Sequence, residues 1–427
     1  MSRKNRRSAR SYPAAATPAA AAEVQLLEHR QLLAAAPVDI AATGDRVPVK
    51  LPECQLPIAP TVIALPVAGG TVNVNVSRNG EINITGDDSD NFVVIDISTG
   101  RLELSSWGAG TKFRGADRGQ PVETLSVTLP KSLRSLSVNL RGGNDTLYVR
   151  FNSDLKFSRD LNINTGDGND FIDVSLGQST VSFGNDIIVD LAGGDDTSKL
   201  TLQQSGNLIA SRDIHVRSGN GDDSLLFIDY SSIPADALET PENFRALADN
   251  NKALIPRPVR SGRDFIAELG NGDDQLTLLT AAAGRDLIVQ TGAGTDHTLL
   301  SHISTSRHLS ILSAENQALQ NIRTAGTLTI QTSNLSTTTF LDRTSAGRLD
   351  VALGAGNDKF SLGEFVSVRG ISLVHGGSGT NLVQSAKPQP RIAFRKTVPS
   401  LLPEQTLQIL AGILAAVPRP LIMIQCF

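Results

Sequence analysis

Seven aspartates occupy one recurring place in this sequence: Asp145, Asp170, Asp196, Asp223, Asp274, Asp296 and Asp358 each close a glycine-rich turn. Over most of the run, neighbouring members lie 25, 26, 27 and 22 residues apart. In the central copies a second acid stands close by, at Asp167, Asp195 or Asp222. Like charges stacked in register repel one another, and a hard cation with six to eight oxygen ligands relieves that repulsion. The chemistry this pattern points to is therefore calcium binding. The competing reading is mechanical, with each aspartate hydrogen-bonding its own turn and facing water.

The elements that position these turns are short strands. In residues 158–176, SRDLNINTGDGNDFIDVSL, apolar residues alternate before the turn (Leu161, Ile163) and again after it (Ile172, Val174, Leu176). Such period-2 alternation on both sides of a Gly/Asp/Asn turn marks strands. The unit repeats down the chain. A corner aspartate (Asp160, Asp186, Asp213, Asp264, Asp286) falls ten residues before the turn aspartate in five copies. Copies from Arg307 and Gly326 keep the strand and lose the turn, a worn copy lies near Thr380, and a first weak copy lies around Asp90. Apolar pairs at fixed offsets (Leu136/Val138, Leu161/Ile163, Ile187/Val189, Ile214/Val216, Leu287/Val289, Leu349/Val351) become inward ladders when the units stack. A period in this range with strand patterning predicts an all-β right-handed parallel β-helix of roughly 10–12 coils, on the order of 55 Å long.

Two resemblances follow from short motifs. Residues 166–174 (GDGNDFIDV), 219–227 (GNGDDSLLF), 270–278 (GNGDDQLTL) and 354–362 (GAGNDKFSL) resemble the repeats-in-toxin nonapeptide GGxGxDxUx. That resemblance implies calcium held by turn carbonyls and aspartates of stacked coils, with the seven turn aspartates as ligands. Here the motif recurs once per ~25 residues and not in tandem nines, so any ions would form one row instead of two. Near the N-terminus, after the basic lead MSRKNRRSAR, LLEHRQLL (26–33) resembles the LEPR-XLL segment of bacterial secreted and surface proteins. Leu27, Glu28, Arg30, Leu32 and Leu33 carry the match, and His29 replaces the usual proline. It implies export, with an extracellular or cell-envelope location, and places residues 1–36 outside the fold. The alternative for this stretch is a short amphipathic helix docked as a cap.

Residues 37–70 read as a linker, 71–385 as the β-helix and 386–427 as a tail or cap. Residues 1–50 and 386–427 each carry a net +4, which leaves −12 on the body between them. No basic patch marks that body, so nucleic acid is not an expected partner. Cys54 and Cys426 lie near opposite chain ends and are expected to be unpaired thiols. An insertion at 233–258 reads as a short projecting helix, because Thr240-Pro241 starts one well and Pro256 stops it. In the apolar tail the longest uninterrupted run, Ile409 to Val417, is too short to span a bilayer, and a capping helix over 404–417 is expected.

Parallel β-helices also serve as polysaccharide lyases and glycosidases, which need converging carboxylates in a groove. Here the acids recur at equivalent corners, and one Trp with three Tyr supplies few stacking platforms. No Ser-His-Asp, zinc or phosphate-loop pattern stands out. The sequence therefore predicts an exported, non-enzymatic solenoid of the cell surface or matrix, calcium-stabilised, meeting surface polysaccharide or other surface proteins. A carbohydrate-active β-helix enzyme is the alternative.

Overall fold

The structure, a computed structural model, describes residues 69–400 except 118, 203–205, 230–258 and 396–397. The predicted N-terminal segment, most of the linker, the helix within 233–258, the capping helix over 404–417 and both cysteines lie outside the described residues.

Every described element is a strand, and the strands form one 21-stranded and one 14-stranded sheet. A coil contributes one strand to the smaller sheet and two to the larger. Phe171–Ser175, Thr180–Phe183 and Ile187–Asp190 make one such coil, and each pairs in parallel with its counterpart a coil away. This is the parallel β-helix that the repeat predicts.

Register explains why the alternation is strict. Leu136, Leu161, Ile187, Ile214, Phe265, Leu287 and Leu309 stand one above another, and Val138, Ile163, Val189, Val216, Ala267, Val289 and Ile311 form the adjacent column. All are buried in one continuous core. A one-residue slip would turn both columns outward at once. The copies lacking the turn obey the same register, since Leu328 and Ile330 sit on Leu309 and Ile311. Phe157 and Phe183 continue the stacking across another face of the coil, with ring centroids 4.7 Å apart. Truncating one central rung should leave a cavity flanked by rigid neighbours. Ile163→Ala is expected to cost about 2–5 kcal/mol, read as a lowered urea midpoint with unchanged slope.

The first coil is built differently. Thr71–Val76 and Glu81–Thr85 form an antiparallel hairpin, as do Phe92–Ser98 and Arg101–Ser105, and Thr124–Thr128 adds antiparallel to the latter. The antiparallel pairings among the described residues are confined to this end. A parallel stack needs its open edge covered, and here the chain folds back on itself to do it. The first repeat also sits one residue later than the turn alignment places it: Asn91, not Asp90, occupies the position of the turn aspartates.

Candidate functional site: three side-chain ladders

The seven predicted site aspartates do fall into one column, and it runs inside the turns. Each is between 0% and 3% exposed. The competing reading, of water-facing residues bonded to their own turns, is corrected in both respects, because each side chain is buried and each carboxylate reaches the neighbouring coil. Oδ1 of Asp145 accepts the Asn91 N–H at 2.7 Å, Oδ1 of Asp170 that of Asp145 at 2.8 Å, and Oδ1 of Asp196 that of Asp170 at 2.8 Å. The series continues through Asp223, Asp274 and Asp296 at 2.9, 2.9 and 3.1 Å. Glu315 then receives the Asp296 N–H. Further along, Thr337 donates to Asp358, and Asp358 to Asn381. Each turn is thus tied to the next by a carboxyl group standing in for a backbone acceptor.

The residue before each of these builds a second, exposed ladder of opposite polarity. Asn169 donates its N–H back to Asn144 Oδ1, Asp195 to Asn169, Asp222 to Asp195 and Asp273 to Asp222, at 2.8 to 3.0 Å. Adjacent residues on an extended turn point to opposite sides. One therefore clamps forward from within and the other backward from outside.

The inner carboxyls are electrostatically unusual. In all seven, Oδ2 is buried without a hydrogen-bond partner. Burial pushes Asp145 and Asp196 up to about 8, Asp274 to about 7, and Asp170 and Asp223 to about 6, with neighbouring aspartates adding to the effect. Asp296 and Asp358 are raised for the same reason. The difference among them follows the residue five positions earlier, a buried column reading Leu140, Thr165, Leu191, Ser218, Leu269, Thr291. Where it is Thr165 or Ser218, a hydroxyl beside the carboxyl lowers the value relative to its neighbours. Where it is leucine, none does.

Part of the oxygen set that a calcium ion shared between coils would use is already engaged. One oxygen of each carboxylate is engaged by a backbone N–H. The turn carbonyls are engaged as well: Gly168 donates to Gly193 O, Gly194 to Asn220 O, Gly221 to Asn271 O and Gly272 to Ala293 O, at 2.8 to 2.9 Å. Each inner carboxylate keeps Oδ2 without a hydrogen-bond partner, so a calcium ion, which takes six to eight oxygens, would compete with the coil-to-coil hydrogen bonds for the rest. A buried carboxyl whose second oxygen lacks a donor is better accommodated by carrying its own proton.

A third ladder lies at the Arg-Asp corners. Arg263 pairs with Asp213, Arg285 with Asp264 and Arg307 with Asp286, each through two guanidinium nitrogens, and Arg212 pairs with Asp186. The same carboxylates also accept the backbone N–H of the next coil's corner residue. The arginines are the exposed partners and salt screens them. Replacing Arg263 by Ala should therefore leave the urea midpoint close to wild type, whereas Asp213→Ala, which also removes a backbone acceptor, should lower it measurably.

One outward cluster varies from coil to coil. Glu268 Oε2 lies 2.9 Å from both His215 Nε2 and Arg217 Nε, and Arg217 reaches Asp190 at 3.8 Å. Burial acts to raise Glu268, but the bonds to Arg217 and His215 outweigh it and hold the carboxyl below its usual range. It is thereby kept ionised and paired, the opposite of what a general acid needs.

Trp107 and Tyr148 lie in one group with two phenylalanines. Trp107 packs on Phe92 and Tyr148 at centroid distances of 5.8 and 5.3 Å, Tyr148 on Phe171 at 5.6 Å, and the Arg150 guanidinium lies 5.3 Å from the centre of the Trp107 ring. The group covers the outer side of the first coils. No protein-family model, curated protein or solved structure matches the chain. Among the described residues no helix is long and apolar enough to cross a membrane.

Proposed function

We propose that this chain is an exported, non-enzymatic β-solenoid that serves as a stiff element of a cell surface or matrix. The observation that carries this reading is the deployment of its acidic side chains. The residues most able to do chemistry are repeated coil after coil and committed to joining one coil to the next. A mixed cluster among the described residues, at Asp190, His215, Arg217 and Glu268, has both of its carboxylates engaged from within. The outer ladder presents Asp195, Asp222 and Asp273 to solvent in a row. The partner best suited to such a surface is a polysaccharide or another surface protein bearing cations or hydrogen-bond donors. Export rests on the LEPR-XLL resemblance at Leu27 to Leu33.

Two measurements test the reading. Incubation with a panel of acidic and neutral polysaccharides should produce no shortening of the polymer. Reproducible cleavage that disappears in Glu268→Gln would replace the scaffold reading with a glycosidase or lyase. Fractionation of the native host should find the full chain outside the cytoplasm and a chain lacking residues 1–36 inside it. Equal cytoplasmic retention of both would end the export proposal.

A further inference from the structure

On a strand, alternate residues face opposite sides of the sheet. In the 14-stranded sheet, Leu276, Leu278, Leu300, Leu319, Leu341, Phe360, Leu362 and Val383 face the interior and belong to the core. Their neighbours Thr277, Leu299, Ala318, Phe340, Ser361 and Gln384 therefore face outward, and they stack directly on one another from coil to coil. Outward residues of an uncovered sheet stay partly wet, as Tyr148 and Asp173 do on the same face nearer the N-terminus. These six are instead 0% to 7% exposed. Leu279, Ser301 and Gln320, in the next outward row, are equally buried. The apolar members, Leu279, Leu299, Ala318 and Phe340, are not part of the interior cluster. The other flanking row, Gln275, His297, Asn316, Thr338 and Lys359, is half-exposed. The covered part is thus a stripe about two side chains wide, running along the rod axis.

We propose that this stripe is the seat of the chain's own C-terminal segment, residues 404–417, lying lengthwise along the outer face and not across the end of the rod. The chain leaves the described residues at Val398–Ser400, a strand paired in parallel with Leu382–Gln384, at the end of the stripe where Gln384 is buried. From there back to Thr277 the stripe crosses five inter-strand spacings, about 24 Å. A helix over 404–417 is about 21 Å long. Its apolar residues Leu407, Leu410, Ile413, Leu414 and Val417 recur at three- and four-residue intervals, which places them on one face. No charged residue lies between Glu404 and Arg419, as burial against Leu299 and Phe340 requires. Ala318 and Ser361, both 0% exposed, are small enough to let a helix come close. The inserted segment 230–258 is the competing occupant. It leaves the same sheet after Ser224–Asp229, one coil before the stripe begins, and must return to Val259–Ser261 on the larger sheet.

The test uses a thiol reporter in the full chain. Cys54 and Cys426 are replaced by Ser, and Leu299→Cys or Ala318→Cys is introduced. Alkylation of either reporter should be slow in the full chain. It should accelerate at least tenfold in a chain ending at Ser400, and also in a full chain carrying Leu410→Asp and Ile413→Asp. The latter variant retains every residue up to the tail, so it decides the matter if truncation impairs folding; an unchanged β-sheet circular dichroism spectrum certifies it. Rapid labelling in the unaltered tail background, or slow labelling that survives both tail changes, overturns the proposal. So does acceleration on excising residues 233–256 with the tail intact, because the insertion would then be the cover.

Discussion

The melting temperature of this protein should be highest near pH 4–5 and fall by on the order of 10 °C between pH 5 and pH 9, with little response to millimolar calcium or to chelator. The sign follows from the inner column. Asp145, Asp170, Asp196, Asp223 and Asp274 have folded values of about 8, 6, 8, 6 and 7, all above the ordinary 3.8. Between those limits the folded chain holds protons that the unfolded chain has released, so stability decreases as pH rises. The favourable contribution is complete below the unfolded value, about 4, and is lost as pH climbs through 6 to 8. One pKa unit at one group corresponds to about 1.4 kcal/mol, so even a fraction of the combined shift outweighs ordinary surface effects. Below pH 4 the trend reverses, because Asp286 and Glu268 have folded values held below the ordinary range and lose their pairing when protonated.

The chain itself indicates the decisive variant. At the first and last rungs of the column the acid is replaced by Asn91 and Asn381, each 1% exposed and each occupying the aspartate position. Asparagine keeps the carbonyl oxygen that accepts the neighbouring N–H and cannot ionise. Asp145→Asn with Asp196→Asn should therefore flatten the slope of melting temperature between pH 6 and 9 and raise stability at pH 9. A wild-type melt that is flat over pH 5–9, or one stabilised by calcium at pH 8 and destabilised by chelator, would contradict a protonated column and restore the ion.

Much of the fold could be read from the sequence because the solenoid repeats its constraints. An inward pair such as Leu161/Ile163 recurs with a fixed offset from its turn, and the register places those pairs one on another. The corner ladder was legible for the same reason, since an arginine stands beside the aspartate at Arg159/Asp160, Arg212/Asp213, Arg263/Asp264 and Arg285/Asp286 and stacking brings such pairs together. The side of the turn on which each acid stands was not legible. In GNGDDQ the residues Asp273 and Asp274 are chemically identical, and only the backbone decides that one is wet and the other is buried. A charged residue in a glycine-rich turn is ordinarily a surface residue, and burial is tolerated here because a backbone N–H from the next coil meets it. The alternation of Leu140, Thr165, Leu191, Ser218, Leu269 and Thr291 carried a usable signal. A hydroxyl recurring in an apolar column marks a polar partner on the inside. The covered stripe at Leu299 and Phe340 was hidden because outward apolar residues in HTLLS or TTFLD read as a strand buried on both faces, without naming what lies over it.

Gly270→Ala should be among the most destabilising single substitutions in the chain, at about 4 kcal/mol, while Gly100→Ala costs about 1 kcal/mol. Both glycines have positive φ, 107° and 79° respectively, so both changes impose backbone strain. They differ in what a methyl group would meet. At Gly100, in the hairpin between Phe92–Ser98 and Arg101–Ser105, nothing lies within 4 Å of the added carbon. At Gly270 it would fall 1.5 Å from the Gly219 carbonyl oxygen, and Gly292 makes the same approach to Gly270 from the next coil. The clash is with backbone on a stacked coil, so no side-chain rotation relieves it. The coils would have to part where the turn carbonyls and the Asp223–Asp274–Asp296 column join them. Urea midpoints for the two variants measure the comparison directly. A Gly270→Ala midpoint shifted no further than that of Gly100→Ala would mean that the turns are not in contact. The space between them would then be wide enough for a cation.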